Sequence, residues 1–236
     1  MEHPGIRRLH PDEDHFCVIS GSEFKSMHDD VKQLIGKIGA ASSRAQGLGH
    51  VITTIASFSG SDNTIYLLLN EENKAAVGFV KVGRKQLFLW DRNGQQHEMR
   101  ILCLLDFFTC PDCQRRGYGK KMIDKMLSDQ NLEMKQVPID RPSALCLSFM
   151  NKQFGLSEYL PQSNNFVVFD EFWETRKRAR SELPPINKPK PLIGLGVPAA
   201  HRAKLIAPTP VQRVPGLGRV ANRGRSHLNP ITWAPY

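Results

Sequence analysis

The sequence predicts an α/β domain of the α+β kind, a mixed, mostly antiparallel sheet with helices on both faces, followed by a disordered basic tail. Three observations predict it. Short β-rich runs at 64–70, 75–82, 86–90 and 100–108 stand between segments of helical periodicity. The 100–108 run, RILCLLDFF, is apolar on both faces apart from Asp106. A half-buried strand alternates, so this one belongs at the centre of a sheet covered on both sides. Composition then changes abruptly near Trp173.

Met27, Val31, Leu34, Ile35 and Ile38 recur at three- and four-residue steps, continued by Ala41 and Ala45. That spacing predicts an amphipathic helix over 26–46, stopped by Gly47 and Gly49. Strands follow at TIYLLLN and AAVGFVKV. Val82-Gly83-Arg84-Lys85 reads as a hairpin connection to QLFLW, and Asp91-Arg92-Asn93-Gly94 as a second one leading to the central run. Beyond that run, QRRGYGKKMIDKMLSDQ carries a helical stripe of Met122, Ile123, Met126 and Leu127. A short strand, QVPID at 136–140, precedes a helix over 143–155 with Ser143 as its N-cap. FVVFDEF at 166–172 reads as the closing strand.

The net charge of +9 is unevenly spread: residues 174–236 hold 12 of the 32 Lys and Arg, against only Glu174 and Glu182. They also hold ten of the 16 prolines and show no apolar periodicity, so they cannot offset the entropy of ordering. The expected organisation is a folded domain over 1–173 and a disordered tail over 174–236. No apolar run approaches the roughly 18 residues of a membrane span, and no secretory h-region is evident. Five cysteines are then expected to be reduced thiols of a cytosolic or nuclear protein. Cys110-Pro-Asp-Cys113 has no second ligand pair and the histidines lack ligand spacing, so no metal is expected. Two loop thiols or a redox pair are the readings open for that motif.

Gln114-Arg115-Arg116-Gly117-Tyr118-Gly119 lies between the central strand and a helix. Glycines admit close backbone approach, a helix start offers free N–H groups, and two arginines add charge, so the loop suits an anion. A glycine-rich turn with solvated arginines is the alternative. The first glycine of a dinucleotide fingerprint and the Gly-Lys-Ser/Thr end of a P-loop are both missing.

A [Q/R]-x-x-G-x-[G/A] loop in this position resembles the acyl-CoA pyrophosphate loop of the GNAT superfamily. More narrowly, the chain resembles the α-tubulin N-acetyltransferases. The likeness rests on Gly78-Phe79-Val80-Lys81-Val82-Gly83, Leu87-Phe88-Leu89, Cys103-Leu104-Leu105-Asp106-Phe107-Phe108, Ile139-Asp140-Arg141-Pro142-Ser143 and Gln162-Ser163-Asn164-Asn165-Phe166. It covers about 30–172 and none of the tail. The resemblance implies acetyl-CoA in a V between splayed strands. Backbone groups of Phe107, Phe108 and Thr109 would pair with its pantetheine arm. Gln114, Arg115, Arg116, Gly117, Tyr118, Gly119 and Lys120 would cradle the pyrophosphate. The helix from Ser143 to Lys152 would flank the rest.

Acetyl transfer to lysine needs a neutral amine, and with a pKa near 10.4 only roughly 0.1% or less of free lysine is neutral at pH 7. A general base is therefore expected. Asp140 ends a strand before a proline turn; by position alone it is a cap, whereas the resemblance implies an active-site aspartate. Cys103 is a core residue by position and an active-site cysteine by resemblance. Gln46 closes the first helix and, by resemblance, orients substrate or cofactor. Asp106, in an apolar strand, is expected to be paired and structural. Asn164 and Asn165 are expected to contact substrate or to line the cleft. The implied partner is α-tubulin in microtubules, acetylated on the lumenal side by a cytoplasmic, monomeric, cytoskeletal enzyme. Neither a membrane nor a specific nucleic acid is implied. Alternatives are a GNAT enzyme acting on a histone lysine or a small amine, and a catalytically weak module that binds microtubules through its tail. The tail's +10 charge suits an acidic surface.

Overall fold

The computed structural model describes residues 1–182; the remainder of the predicted tail lies outside the described residues. After a 3-10 turn at Pro4–Arg8 come β1 (Phe16–Ser20), α1 (Gly21–Phe24), α2 (Asp29–Ala45), α3 (Ile55–Phe58) and β2 (Thr64–Leu69). The chain continues with β3 (Ala76–Trp90), β4 (Gln96–Thr109), α4 (Tyr118–Gln130), β5 (Ile139–Asp140), α5 (Ala144–Phe154), β6 (Tyr159–Pro161), β7 (Phe166–Phe169) and α6 (Asp170–Glu182). The seven strands form one sheet in the order β1-β2-β3-β4-β5-β7-β6, antiparallel throughout except between β4 and β5. The apolar run 100–108 thus lies in the central strand.

The expected helix over 26–46 is α2, started by the His28 imidazole, which accepts from Asp30 N at 3.2 Å. Its stripe residues Leu34, Ile35 and Ile38 are fully buried, worth about 2 kcal/mol each by the area they remove from water. They pack with Phe79 and Phe108 in one cluster. On the other face, Met122, Ile123 and Met126 of α4 and Met150 of α5 pack against Val80, Leu102 and Leu104. A third cluster joins Leu87, Leu89, Ile101, Cys103 and Leu105 to Phe172 and Trp173 of α6.

Three expectations are corrected. Val82–Lys85 is not a turn: β3 runs straight through it, and Gly83 pairs with Cys103. Glycine serves there for space, since a Cβ would meet the Asn63 side chain and, at 3.0 Å, Leu105 Cδ1. The run 166–172 is a four-residue strand followed by helix. Asp170 and Glu171 place two acids in the first turn of α6, where the helix dipole favours them, and α6 carries the chain past Trp173. Within QVPID only Ile139 and Asp140 are strand, after a 3-10 turn at Met134–Gln136. Two strands, β1 and β6, were not expected: they have five and three residues, too short for an alternation to stand out, and pairing with β2 and β7 defines them.

The ladder between β3 and β4 has one irregularity. Lys81 pairs with Asp106 but Val82 pairs with Leu104, so Leu105 is an extra residue of β4. The bulge reverses the alternation of side chains. Leu102, Leu104 and Phe107 therefore share the α4–α5 face, while Asp106 and Phe108 turn towards α2.

Helix α2 sits close to the 50s loop because Gly39 has no Cβ; one built there would overlap Thr53 O. Gly39→Ala should gain roughly 1 kcal/mol of helix propensity yet lose about 1–3 kcal/mol to overpacking against backbone. A net fall in the urea midpoint is expected.

Candidate active site

The parallel pair β4–β5 is joined at a single register position, Leu104 with Ile139, where Leu104 N donates to Pro138 O at 2.9 Å. Beyond it the two strands part. The opening is a cleft of about 400 Å³, lined on one side by Leu105–Thr109 and on the other by Asp140–Ser143 and α5. From Leu105 to Thr109 the edge of β4 that faces β5 has no strand partner. Apart from Thr109 O, which accepts from Gln114 Nε2 at 3.2 Å, its backbone groups are available to an extended ligand, as a missing strand would use them.

At one end of the cleft stands the start of α4. Its N-cap is Gly117, left-handed at φ 84°, and no side chain caps it. The helical ladder opens with Lys121 N donating to Gly117 O at 3.0 Å, so the preceding N–H groups have no partner inside the helix. Arg115 is also left-handed, at φ 64°. Alternation of this kind builds the concave backbone nests that hold anions. Gln114, Arg115, Gly117, Gly119 and Lys120 line the cleft; Arg116 and Tyr118 do not, and Tyr118 packs on the core instead. Gly119 serves packing: an added Cβ would stand 3.2 Å from the rings of Phe107 and Phe149. Lys120 pairs with Asp124 at 2.6 Å.

Asp140 lines the cleft from the tip of β5. Helix α5 is capped by Ser143, whose Oγ accepts from Cys146 N at 3.2 Å, so Asp140 is not its cap. Arg141, left-handed at φ 42°, turns the chain away and donates its N–H to Asn165 O at 3.0 Å. The Asp140 carboxyl is half-buried, and burial pushes its pKa above the usual carboxylate range, opposed by Arg141, Lys81 and Lys85. Gln46, the C-cap residue of α2, also lines the cleft. Its Nε2 donates to Ser42 Oγ at 2.8 Å and to Asp106 Oδ1 at 3.2 Å. Asp106 is paired as its sequence setting required.

Cys103 is elsewhere. It is 0% exposed inside the third apolar cluster, does not line the cleft, and burial pushes its thiol up to about 12. Ser143 and Lys152 both face the cleft, and Phe107, Phe108 and Thr109 form its β4 wall. Asn164 lies away from it, donating to Phe88 O at 3.3 Å. Cys110 is buried and Cys113 half-buried, both free thiols around a 3-10 turn beside the loop. Three lining residues of α5 were not among the individually expected ones. The Phe149 ring packs tilted against Phe107 with centroids 5.2 Å apart, Cys146 is half-buried with its thiol pushed up to about 12, and Leu145 is 75% exposed at the cleft wall. Leu145 was the one that helical periodicity could have flagged, as an apolar residue off the core stripe.

A central strand that bulges, splays from a parallel neighbour and delivers the chain to an uncapped helix is the architecture of the GNAT acyltransferases. The family model described as GNAT acetyltransferase, Mec-17 matches residues 7–191, and the chain belongs to that family. Among relatives, it is 40% identical over 164 residues to "Alpha-tubulin N-acetyltransferase 1" of Danio rerio, covering 68% of this chain and 55% of the relative. It is 38% identical over 151 residues to "Alpha-tubulin N-acetyltransferase" of Aedes aegypti, covering 63% and 56%. The matched segment thus spans little more than half the length of these relatives. Among solved structures, the xEco2 acetyltransferase domain bound to a CoA conjugate is 11% identical with a TM-score of 0.47, over 67% of this chain and 95% of that one.

The raised carboxyl has a consequence for stability. A carboxylate whose folded pKa exceeds its unfolded one binds its proton more tightly in the folded state, so stability is lost as pH rises through the folded pKa. At pH 7 ionised Asp140 therefore destabilises the fold. Asp140→Asn should raise the melting temperature at pH 7–8, by about 2–4 °C for each kcal/mol relieved, and the gain should vanish in acid. Calorimetry at the two pH values checks it.

Proposed function

We propose that the chain transfers the acetyl group of acetyl-CoA to the side-chain amine of a lysine in α-tubulin, on the lumenal side of microtubules. The carrying observation is the cleft itself, with an anion-receiving helix start at one end and the half-buried Asp140 at the other. The names of the relatives support the substrate. The residues suit acetyl-CoA: an unpaired β4 edge for an extended amide-bearing arm, and N–H groups of α4 with Arg115 for a pyrophosphate. When bound, it supplies an activated acyl group.

The chain's own contribution is to deliver a neutral amine to that group. Asp140 faces away from Ile139, which belongs to the α4–α5 cluster, so its carboxylate stands on the opposite side of the sheet from the phosphate loop's helix. In this reading the thioester arm enters from the α4–α5 side and lysine from the side of α2 and α6. Asp140 accepts the ammonium proton, and its raised pKa brings it closer to the amine's, which strengthens it as a base. Backbone N–H groups of the open β4 edge near Phe107 stabilise the developing oxyanion. Gln46 cannot take a proton and orients the amine. Cys103 takes no part in proton transfer, since a thiol pushed up to about 12 is protonated at neutral pH.

Acetyl-CoA at about 100 times its Kd should stabilise the chain by about 2.7 kcal/mol, or some 5–10 °C in melting temperature. A thermal melt with and without acetyl-CoA measures this. Asp140→Asn should leave that shift intact and lower turnover on microtubules by about 10²–10⁴-fold. In the wild type, kcat/KM should fall as pH drops through the Asp140 pKa, because only the ionised form accepts a proton. The variant's residual rate should lack that acid limb. An unchanged acid limb in Asp140→Asn would remove Asp140 as the base.

A further inference from the structure

The side chains behind Gln46 form a line of hydrogen bonds whose direction is set by a cation at one end. Lys81 is 4% exposed and Thr53 fully buried. Lys81 Nζ donates to Thr53 Oγ1 at 2.8 Å and to Ile52 O at 3.4 Å. An ammonium only donates, so the Thr53 hydroxyl accepts there and directs its own proton elsewhere. That proton goes to Asp106 Oδ2. Ser42 Oγ donates to Asp106 Oδ1 at 2.8 Å. An ionised carboxylate only accepts, so Gln46 must turn its amide nitrogen, not its oxygen, towards Asp106.

The nitrogen end of the amide is then held against Asp106 and Ser42 together. Oε1 is the end of the Gln46 amide left unengaged by the described residues, on a side chain that lines the cleft. The opposite amide orientation would set oxygen against carboxylate. A buried lysine and a buried carboxylate are each costly unless satisfied, and packing asks for neither here: Phe79 and Phe108, next along β3 and β4 towards α2, are apolar core.

We propose that Thr53, Asp106 and Lys81 are positioning residues that lock the Gln46 amide with its carbonyl oxygen towards the cleft, as the acceptor that orients the incoming lysine amine. The role rests on the acetyl-transfer reading above. A glutamine turned the other way would offer N–H donors to a group that, while charged, has only N–H donors to give. A fixed acceptor selects for an amine and aligns its lone pair; a freely turning amide would do so only part of the time.

The test uses the full chain and steady-state kinetics on microtubules, with Thr53→Val, Thr53→Ser, Gln46→Met and the double variant Thr53→Val/Gln46→Met. Thr53→Val should lower kcat/KM for the lysine substrate about tenfold, the worth of one hydrogen bond, while acetyl-CoA affinity is unchanged. Thr53→Ser should restore the rate. In the Gln46→Met background Thr53→Val should cost nothing further, because residues acting through one group are not additive. Equal losses in both backgrounds, or an undiminished rate in Thr53→Val, overturn the positioning role. Should Thr53→Val melt below the assay temperature, Lys81→Met makes the same comparison with the hydroxyl in place. A wild-type chain that binds acetyl-CoA and modifies no lysine overturns the acetyl-transfer reading, and this role with it.

Discussion

Between the pairs Lys81–Asp106 and Val82–Leu104 the β3–β4 ladder passes over Leu105, and the arrangement of the site follows from that skipped residue. In an unbroken strand Asp106 would share a face with Leu104 and meet the methionines of α4 and α5. A carboxylate there would be desolvated with nothing to pair with, a cost of several kcal/mol or a neutralised group. With the extra residue it meets Ser42, Gln46 and Thr53 instead. Bulges also bend a strand, and β4 leaves β5 directly beyond this one. One backbone irregularity thus aims a buried anion at α2 and opens the cleft beside it.

The cleft is polar in an ordered way. Its α4 end gathers N–H dipoles and Arg115; its β5 end presents a carboxylate whose pKa is raised. Ser143 matters to both parts, because by capping α5 it leaves Asp140 free of helix duties. Rigid supports lie under each group: Phe107 and Phe149 beneath the loop, and the Asp106 network beneath Gln46. Apolar packing supports the walls on both faces of the sheet.

Much of this was legible in the sequence, for identifiable reasons. The stripe of α2, the apolar run of β4 and the Gln114–Gly119 loop are local signals, and each fell where its periodicity or its glycines placed it. The fate of Asp106 could also be read, because a lone acid in an apolar strand has to be satisfied. The errors have a common cause in tertiary context. Gly83 looked like a turn because its need for space arises from Asn63 and Leu105, which local sequence does not reveal. Asp170 and Glu171 looked like strand residues until the helix dipole claimed them. The partners of Asp106 were invisible for the same reason: Thr53 and Lys81 lie 53 and 25 positions before it in the chain. Cys103 was ambiguous in sequence because a strand residue can face either way, and burial decides which.

The measurement that bears most directly on the proposed activity is mass spectrometry of assembled microtubules, free tubulin and histones after incubation with the full chain and acetyl-CoA. Acetyl is expected on a lysine of α-tubulin, formed faster in polymer than on histones, and at a rate lowered about 10²–10⁴-fold when Asp140 is replaced by Asn. Label confined to histones, or tubulin acetylated equally by the Asp140→Asn protein, would contradict it.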